Sequence, residues 1–348
     1  MSHPYSEMPP RAFWRTAIAE ADRDLLPDLY QPRVAITQST RVVTAGSCFA
    51  QHIGNYLSLA GCNVLDAEPA PRDMSEDVAR HFHYGIYSAR YGNVYTARQL
   101  RQLLEDVVSD TVSPQYVWPH GKTFVDALRP TVEPHGLETV EEVLLHRRTH
   151  LAKIRAMLPQ TDVFVFTLGL TESWQDVSTG RIFPVCPGVS GGTYHPEKHG
   201  FHNFTHSEVL ADLHSVHALL KRFNPDIQML LTVSPVPLTA TATSDHVLPA
   251  TTYSKAVLRA AAGEFLATTT GTDYFPSLEI ITAPASGGPW FTQDMRSVTT
   301  EGVEKVMSIF FAAQGLIESA PPTASAQPSD DGEDTLVCEE LLLQAFAK

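Results

Sequence analysis

Apolar positions along this chain follow two periods. Val42-Val43-Thr44, Val163-Phe164-Val165-Phe166, Ile227–Val233 and Asp273-Tyr274-Phe275 are runs of β-branched, aliphatic and aromatic residues that end at glycine, serine or proline turns. Uninterrupted runs of this kind predict strands buried on both faces of a parallel sheet. Asn63-Val64-Leu65-Asp66 predicts a further short strand. Between them, apolar residues recur at helical spacing: Phe49, Ile53, Tyr56 and Leu57, then Leu100, Leu103, Leu104 and Val107. The same period runs through 140–158, 207–223, 253–268 and 300–316. Strands alternating with helices predict a three-layer α/β/α sandwich. In that architecture a site forms off the carboxyl ends of the strands, here the segments 46–47, 92–93, 169–174, 234–252 and 276–297.

The remaining stretches read as additions to this domain, taken as residues 1–317. Residues 1–40 are a proline-punctuated extension that packs on it, with the amphipathic piece Ala12–Ala19 lying on its outside. Ser109 to Glu138 is a polar insertion carrying Tyr116, Trp118 and Phe124, and Arg181 to Ser207 is a long glycine- and histidine-rich loop. From 318 to 348 the composition shifts to an acidic, proline-bearing linker. It closes on the amphipathic piece Leu336–Phe346, which is suited to docking on the domain or on a protein partner. Too little apolar surface lies there for the tail to matter to folding.

Composition narrows the function classes. A formal net charge of −14 argues against a nucleic-acid or anionic-membrane surface. No apolar run reaches the ~20 residues of a membrane span, and the amino terminus lacks the build of a signal peptide. A cytoplasmic location is the expectation. Cys48, Cys62, Cys186 and Cys338 have no framework or CxxC spacing, so free thiols are expected, with no cofactor or metal.

The chemistry concentrates where the first strand meets the first helix. Gly46-Ser47 forms that turn, at a helix amino terminus where backbone N–H groups and the helix dipole favour negative charge. A serine there is either a helix cap or a nucleophile. The run Gly46-Ser47-Cys48-Phe49-Ala50 resembles the signature of the GSCFA family, related to the SGNH (GDSL-type) hydrolases. The likeness extends from Phe13-Trp14-Arg15 to Gly302-Val303.

The resemblance implies a flavodoxin-like, SGNH-hydrolase-type sheet and Ser47 as nucleophile. Gly46, the amide of Ser47 or Cys48, Gly92 and Asn93 fall where the superfamily builds its oxyanion hole. Gly169-Leu170-Thr171-Glu172 is similar to its Gly-x-Asn-Asp block, with Thr171 in place of asparagine. The implied activity is that of a serine O-acyl esterase or O-acyltransferase on a carbohydrate or other small acylated substrate.

The last block departs from that pattern. Asp294-Met295-Arg296-Ser297 keeps the aspartate of Asp-x-x-His and has serine where the histidine belongs, with Arg296 beside it as a substrate-binding candidate. Serine needs a base, so an imidazole from another loop is expected. His246 is the first choice and His199 the second, with Asp294 or Asp245 orienting the ring. Two other readings stand beside this one. The chain is otherwise a non-catalytic binding module of the same fold, or a metal-dependent hydrolase using the histidines of 195–206.

Overall fold

The computed structural model describes residues 3–23, 25–316 and 339–347. In chain order the regular elements begin with β1 Val42–Gly46, α1 Phe49–Leu59, α2 Glu76–His81 and α3 Ala97–Ser109. A hairpin, β2 Val117–His120 and β3 Thr123–Asp126, leads to α4 Val140–Met157 and β4 Val163–Leu168. Next come β5 Glu172–Asp176, β6 Ile182–Phe183, β7 His199–Asn203, α5 His206–Phe223, β8 Gln228–Val233 and α6 Val247–Thr268. The domain closes with β9 Thr272–Phe275, α7 Ser277–Thr282 and α8 Thr300–Gln314, and the segment Glu339–Phe346 forms 3-10 turns.

Four strands make the central parallel sheet in the order β1-β4-β8-β9. The expected strand at 63–66 shrinks to a single parallel bridge, Val64 to Val42, on the outer side of β1. Counted as a strand, it completes the flavodoxin-like order.

Side-chain alternation splits the core into two layers. Val43, Ala45, Phe164, Phe166, Met229 and Leu231 face α3, α4, α5 and α6. Val42, Val163, Val165, Leu230 and Phe275 face α1, α7 and α8. Both sheet faces are covered, which explains why the strand sequences lack polar alternation.

The helices start where side chains accept the first free N–H groups. Thr96, Thr139 and Thr205 each form a capping box with Gln99, Glu142 and Glu208. For α5 the cap is therefore Thr205, two residues ahead of the expected Ser207. Helix α6 begins six residues before its expected start, at Val247.

The insertions carry small sheets of their own. Residues 109–138 hold the β2–β3 hairpin, and the 181–207 loop contributes β6 and β7 to an antiparallel sheet ordered β6-β5-β7. The amino-terminal extension is buried unevenly. Leu26, Tyr30, Val34 and Ile36 are buried against α8 and β9, whereas Trp14 is 74% exposed. Residues 15–19 make one π-helical turn, too short to present a continuous apolar face. Among the described residues no helix is long and apolar enough to cross a membrane. Cys338 and the linker lie outside them.

Candidate active site

Gly46 ends β1 with φ +146°, and a Cβ on it would stand 2.5 Å from Thr167 O on β4. Only glycine fits there. This brings Ser47 to the mouth of the β1–β4 pair, where its N–H donates to Thr167 O at 3.1 Å. Ser47 is buried, and among the described residues its hydroxyl has no hydrogen-bond partner. The helix-cap role is not taken up: Cys48 is the N-cap of α1 and no side chain caps it. A buried hydroxyl without a partner is rare in native proteins and calls for a reason.

Two segments wall the serine. The stretch after α2 runs beside the end of β1, with Val94 N–H donating to Gly46 O at 2.8 Å. It delivers Asn93, which is buried, and the Tyr87 hydroxyl, which lies 3.0 Å from Ser47 O and close to Asn93 Oδ1. Across the cleft stands Gly169. A Cβ there would come 2.8 Å from Ser47 Cβ and 3.2 Å from Tyr95 O, so the missing side chain is what lets these pieces approach.

Behind Gly169 lies a buried amine. Lys255 projects from the apolar face of α6 and its Nζ donates to Gly169 O at 2.6 Å. Burial drives this amine down to about 8; Arg296 pushes the same way, and Glu340 and Cys48 oppose it. Beside it Arg296 Nη2 donates to Glu340 Oε2 at 3.1 Å.

The C-terminal segment closes the cleft. Glu339 is 2% exposed, and its carboxylate accepts from Asn93 Nδ2, from the Tyr95 hydroxyl at 2.9 Å and from Thr131 Oγ1 at 2.8 Å. It passes over Gly92, where φ is +68° and a Cβ would lie 3.4 Å from Glu339 Oε1. Farther out, Leu343 and Phe346 line a cavity of about 350 Å³ together with Leu170, Trp174, Phe201 and Leu238.

Several sequence expectations are corrected by this geometry. His246 is exposed and caps α6, its Nδ1 accepting from Leu248 N–H at 3.1 Å. His199 pairs with Asp176 at one end of the β5–β7 ladder, while Asn203, at the other end, meets Thr171. At ~3.3 Å per residue this puts His199 on the order of 13 Å from the site end of the ladder. Burial and the neighbouring His195 both lower its pKa. Among the described residues no imidazole hydrogen-bonds the Ser47 hydroxyl.

Asp294 orients no ring either. Its carboxylate accepts from Thr292 Oγ1, the N–H groups of Arg296 and Ser297, and Ser297 Oγ, all within 2.9 Å. Partial burial works against ionisation, and these four donors outweigh it and hold the group at about 2. It organises a turn.

The oxyanion candidates divide. Gly92 and Asn93 reach the cleft. The Ser47 N–H is committed to Thr167 O, which removes it from the candidate donors. The Thr171 hydroxyl donates to Asn203 Oδ1 at 2.7 Å, so its one proton is directed away from Ser47. Glu172 accepts from Thr241 Oγ1 and Ala242 N–H and ties down the loop after β8. The histidines of 195–206 face separate acids: His195 meets Glu197, His202 meets Glu208 and His206 meets Glu264. Among the described residues no cluster of three or more His, Cys, Asp or Glu side chains is arranged to hold a metal ion.

Lys255 and Glu339 escaped the sequence reading. Lys255 falls on the buried stripe of α6 with Ala250, Ser254, Leu258, Ala261 and Phe265. A lysine in such a stripe is a usable signal, because burying an unpaired ammonium is costly. Glu339 carried none, since nothing local distinguishes it from its acidic surroundings.

A solved structure from Parabacteroides merdae, described as a "putative GDSL-like lipase", is similar to this chain at 16% identity and a TM-score of 0.34. The similarity covers 82% of this chain and all of that one. Among curated proteins nothing matches. The GSCFA family model matches residues 41–310, and the chain belongs to the GSCFA family.

Proposed function

We propose that this protein cleaves or transfers an acyl ester, with Ser47 as nucleophile and Lys255 as the proton acceptor. The observation that carries the reading is the buried Ser47 hydroxyl, without a hydrogen-bond partner among the described residues, packed on Gly169, whose carbonyl accepts from the buried Lys255 amine. A neutral Lys255 amine donates to Gly169 O and keeps a lone pair for the serine proton. Oγ then adds to the substrate carbonyl as the proton passes to Nζ. Collapse of the tetrahedral adduct expels the alkoxide, which takes that proton back and leaves acyl-Ser47. Water or a sugar hydroxyl repeats the sequence in reverse. The amino end of α1 supplies the donors suited to the developing oxyanion.

A fluorophosphonate probe tests this. Wild type is expected to take up one label, on Ser47; Ser47→Ala none; and Lys255→Met at a rate lower by about 10²-fold or more. Equal labelling of Ser47→Ala overturns the reading. One observation favours a second reading: no histidine stands on Ser47 and the cleft is filled. A chain whose serine never labels is a binding module.

A further inference from the structure

The cleft holds two acidic side chains that come from the chain itself. Glu339 enters on the Asn93 side, where three donors converge on one buried carboxylate. Glu340 turns to the other side and meets Arg296, itself 8% exposed, next to Lys255. Among the described residues no lysine or arginine pairs with Glu339. Its carboxylate is held by neutral donors, the arrangement suited to a group that arrives and leaves, because little charge is stranded when it goes. Gly92 leaves the space that Oε1 occupies.

The rest of the segment is more exposed. Leu342 is 41% exposed and Phe346 66%. Leu341 and Leu343 are half-buried, and Glu339 is the buried side chain among the described residues 339–347.

We propose that the pocket formed by Asn93, Tyr95 and Thr131 is a carboxylate-binding subsite for the ligand of this cleft, and that Glu339 occupies it as an internal competitor. The ligand class is an acyl acceptor or ester that bears a carboxylate beside the group presented to Ser47. The inference rests on Ser47 marking the working centre. Binding is measured without turnover, so failure of the subsite and failure of the acyl chemistry are distinguishable.

The test uses the full chain and Glu339→Ala, with propionate as probe and propionamide as neutral control. Propionate supplies the methylene and carboxylate that the substitution removes, with one methyl more. It is expected to raise the melting temperature of Glu339→Ala in a saturable way, with propionamide inert and wild type needing at least about tenfold more propionate for the same shift. Thr131→Val added to Glu339→Ala removes one donor to the carboxylate and is expected to weaken propionate about tenfold. Equal response of wild type and Glu339→Ala, or no response in Glu339→Ala, overturns the proposal. Should Glu339→Ala fail to fold, hydrogen exchange of wild type decides. Propionate is expected to speed exchange of the 339–346 amides, and propionamide to leave it unchanged. Exchange indifferent to both overturns the proposal.

Discussion

Lys255 Nζ donates to Gly169 O at 2.6 Å, fastening the interior of α6 to the residue packed on Ser47. One bond thereby sets both the height of the amine and the width of the cleft. The carboxylate at Asp294 is occupied with its own turn.

If Lys255 is the base, only its neutral form works. Its pKa is lowered by burial to about 8, so the neutral fraction, and with it the labelling rate of Ser47, rises with pH through that value. Lys255→Met is expected to flatten the profile as well as lower it. A rate that rises near pH 6.5 instead points to an imidazole.

Gly169→Ala is expected to disable the site with modest loss of stability. The new methyl would stand 2.8 Å from Ser47 Cβ and 3.2 Å from Tyr95 O, so Ser47 or the Tyr95 backbone must move. Overpacking of this order costs about 1–3 kcal/mol. Gly46→Ala is expected to be worse, since the clash is with backbone Thr167 O and φ is positive. Urea melts of the two variants beside wild type check the order.

His246→Ala and Asp294→Asn separate helix capping and turn building from chemistry. The first removes the acceptor for Leu248 N–H and is expected to cost about 0.5–1 kcal/mol. The second weakens the turn at 292–297 by about 1 kcal/mol. Neither should change the fluorophosphonate labelling rate by more than about twofold.

Acid should undo the pair Glu68–His150, in which Nδ1 and Oε2 are 2.7 Å apart inside the protein. Burial pushes Glu68 up, but His150, Arg129 and the Arg90 N–H outweigh it and bring the group to about 2. Its contribution is complete above the ordinary glutamate range and is lost as pH falls toward that value. Burial, aided by Arg129, lowers His150 to about 4, so the unfolded chain takes up this proton first, below about pH 6.5. Both terms make stability fall as pH falls. His150→Gln is expected to flatten the urea midpoint between about pH 6.5 and 4, and an unchanged slope counts against this account.

The central sheet was legible because each of its four strands is buried on both faces, which leaves an unbroken apolar run such as Val163–Leu168. The small sheet was not: β7 is His199-Gly200-Phe201-His202-Asn203, half-buried throughout, and only its partner β5 makes it a strand. For the same reason Val64 keeps a single bridge. The position of Ser47 followed from the strand, turn and helix around it. Its neighbours depended on which loop lies across the cleft, and Gly169 with Lys255 is a contact across 86 residues. Of the tail, read as spare for folding, the described residues hold one buried side chain, Glu339, which lies 246 residues from Asn93.

Asp273 shows how the two ends of the domain depend on each other in time. Its Oδ2 gathers the Tyr30 hydroxyl and the N–H groups of Arg33 and Val34, across 239 to 243 residues of chain. During synthesis those amino-terminal groups emerge first and wait for β9, which is made nearly last. Until then the layer that receives Tyr30, Val34 and Ile36 lacks Phe275 and Phe310, and its apolar surface stays open to solvent. The amino-terminal strap is therefore a late-closing latch. Contacts this distant slow folding and prolong the exposed stage, so substitutions at Asp273 should cost soluble yield before they cost activity.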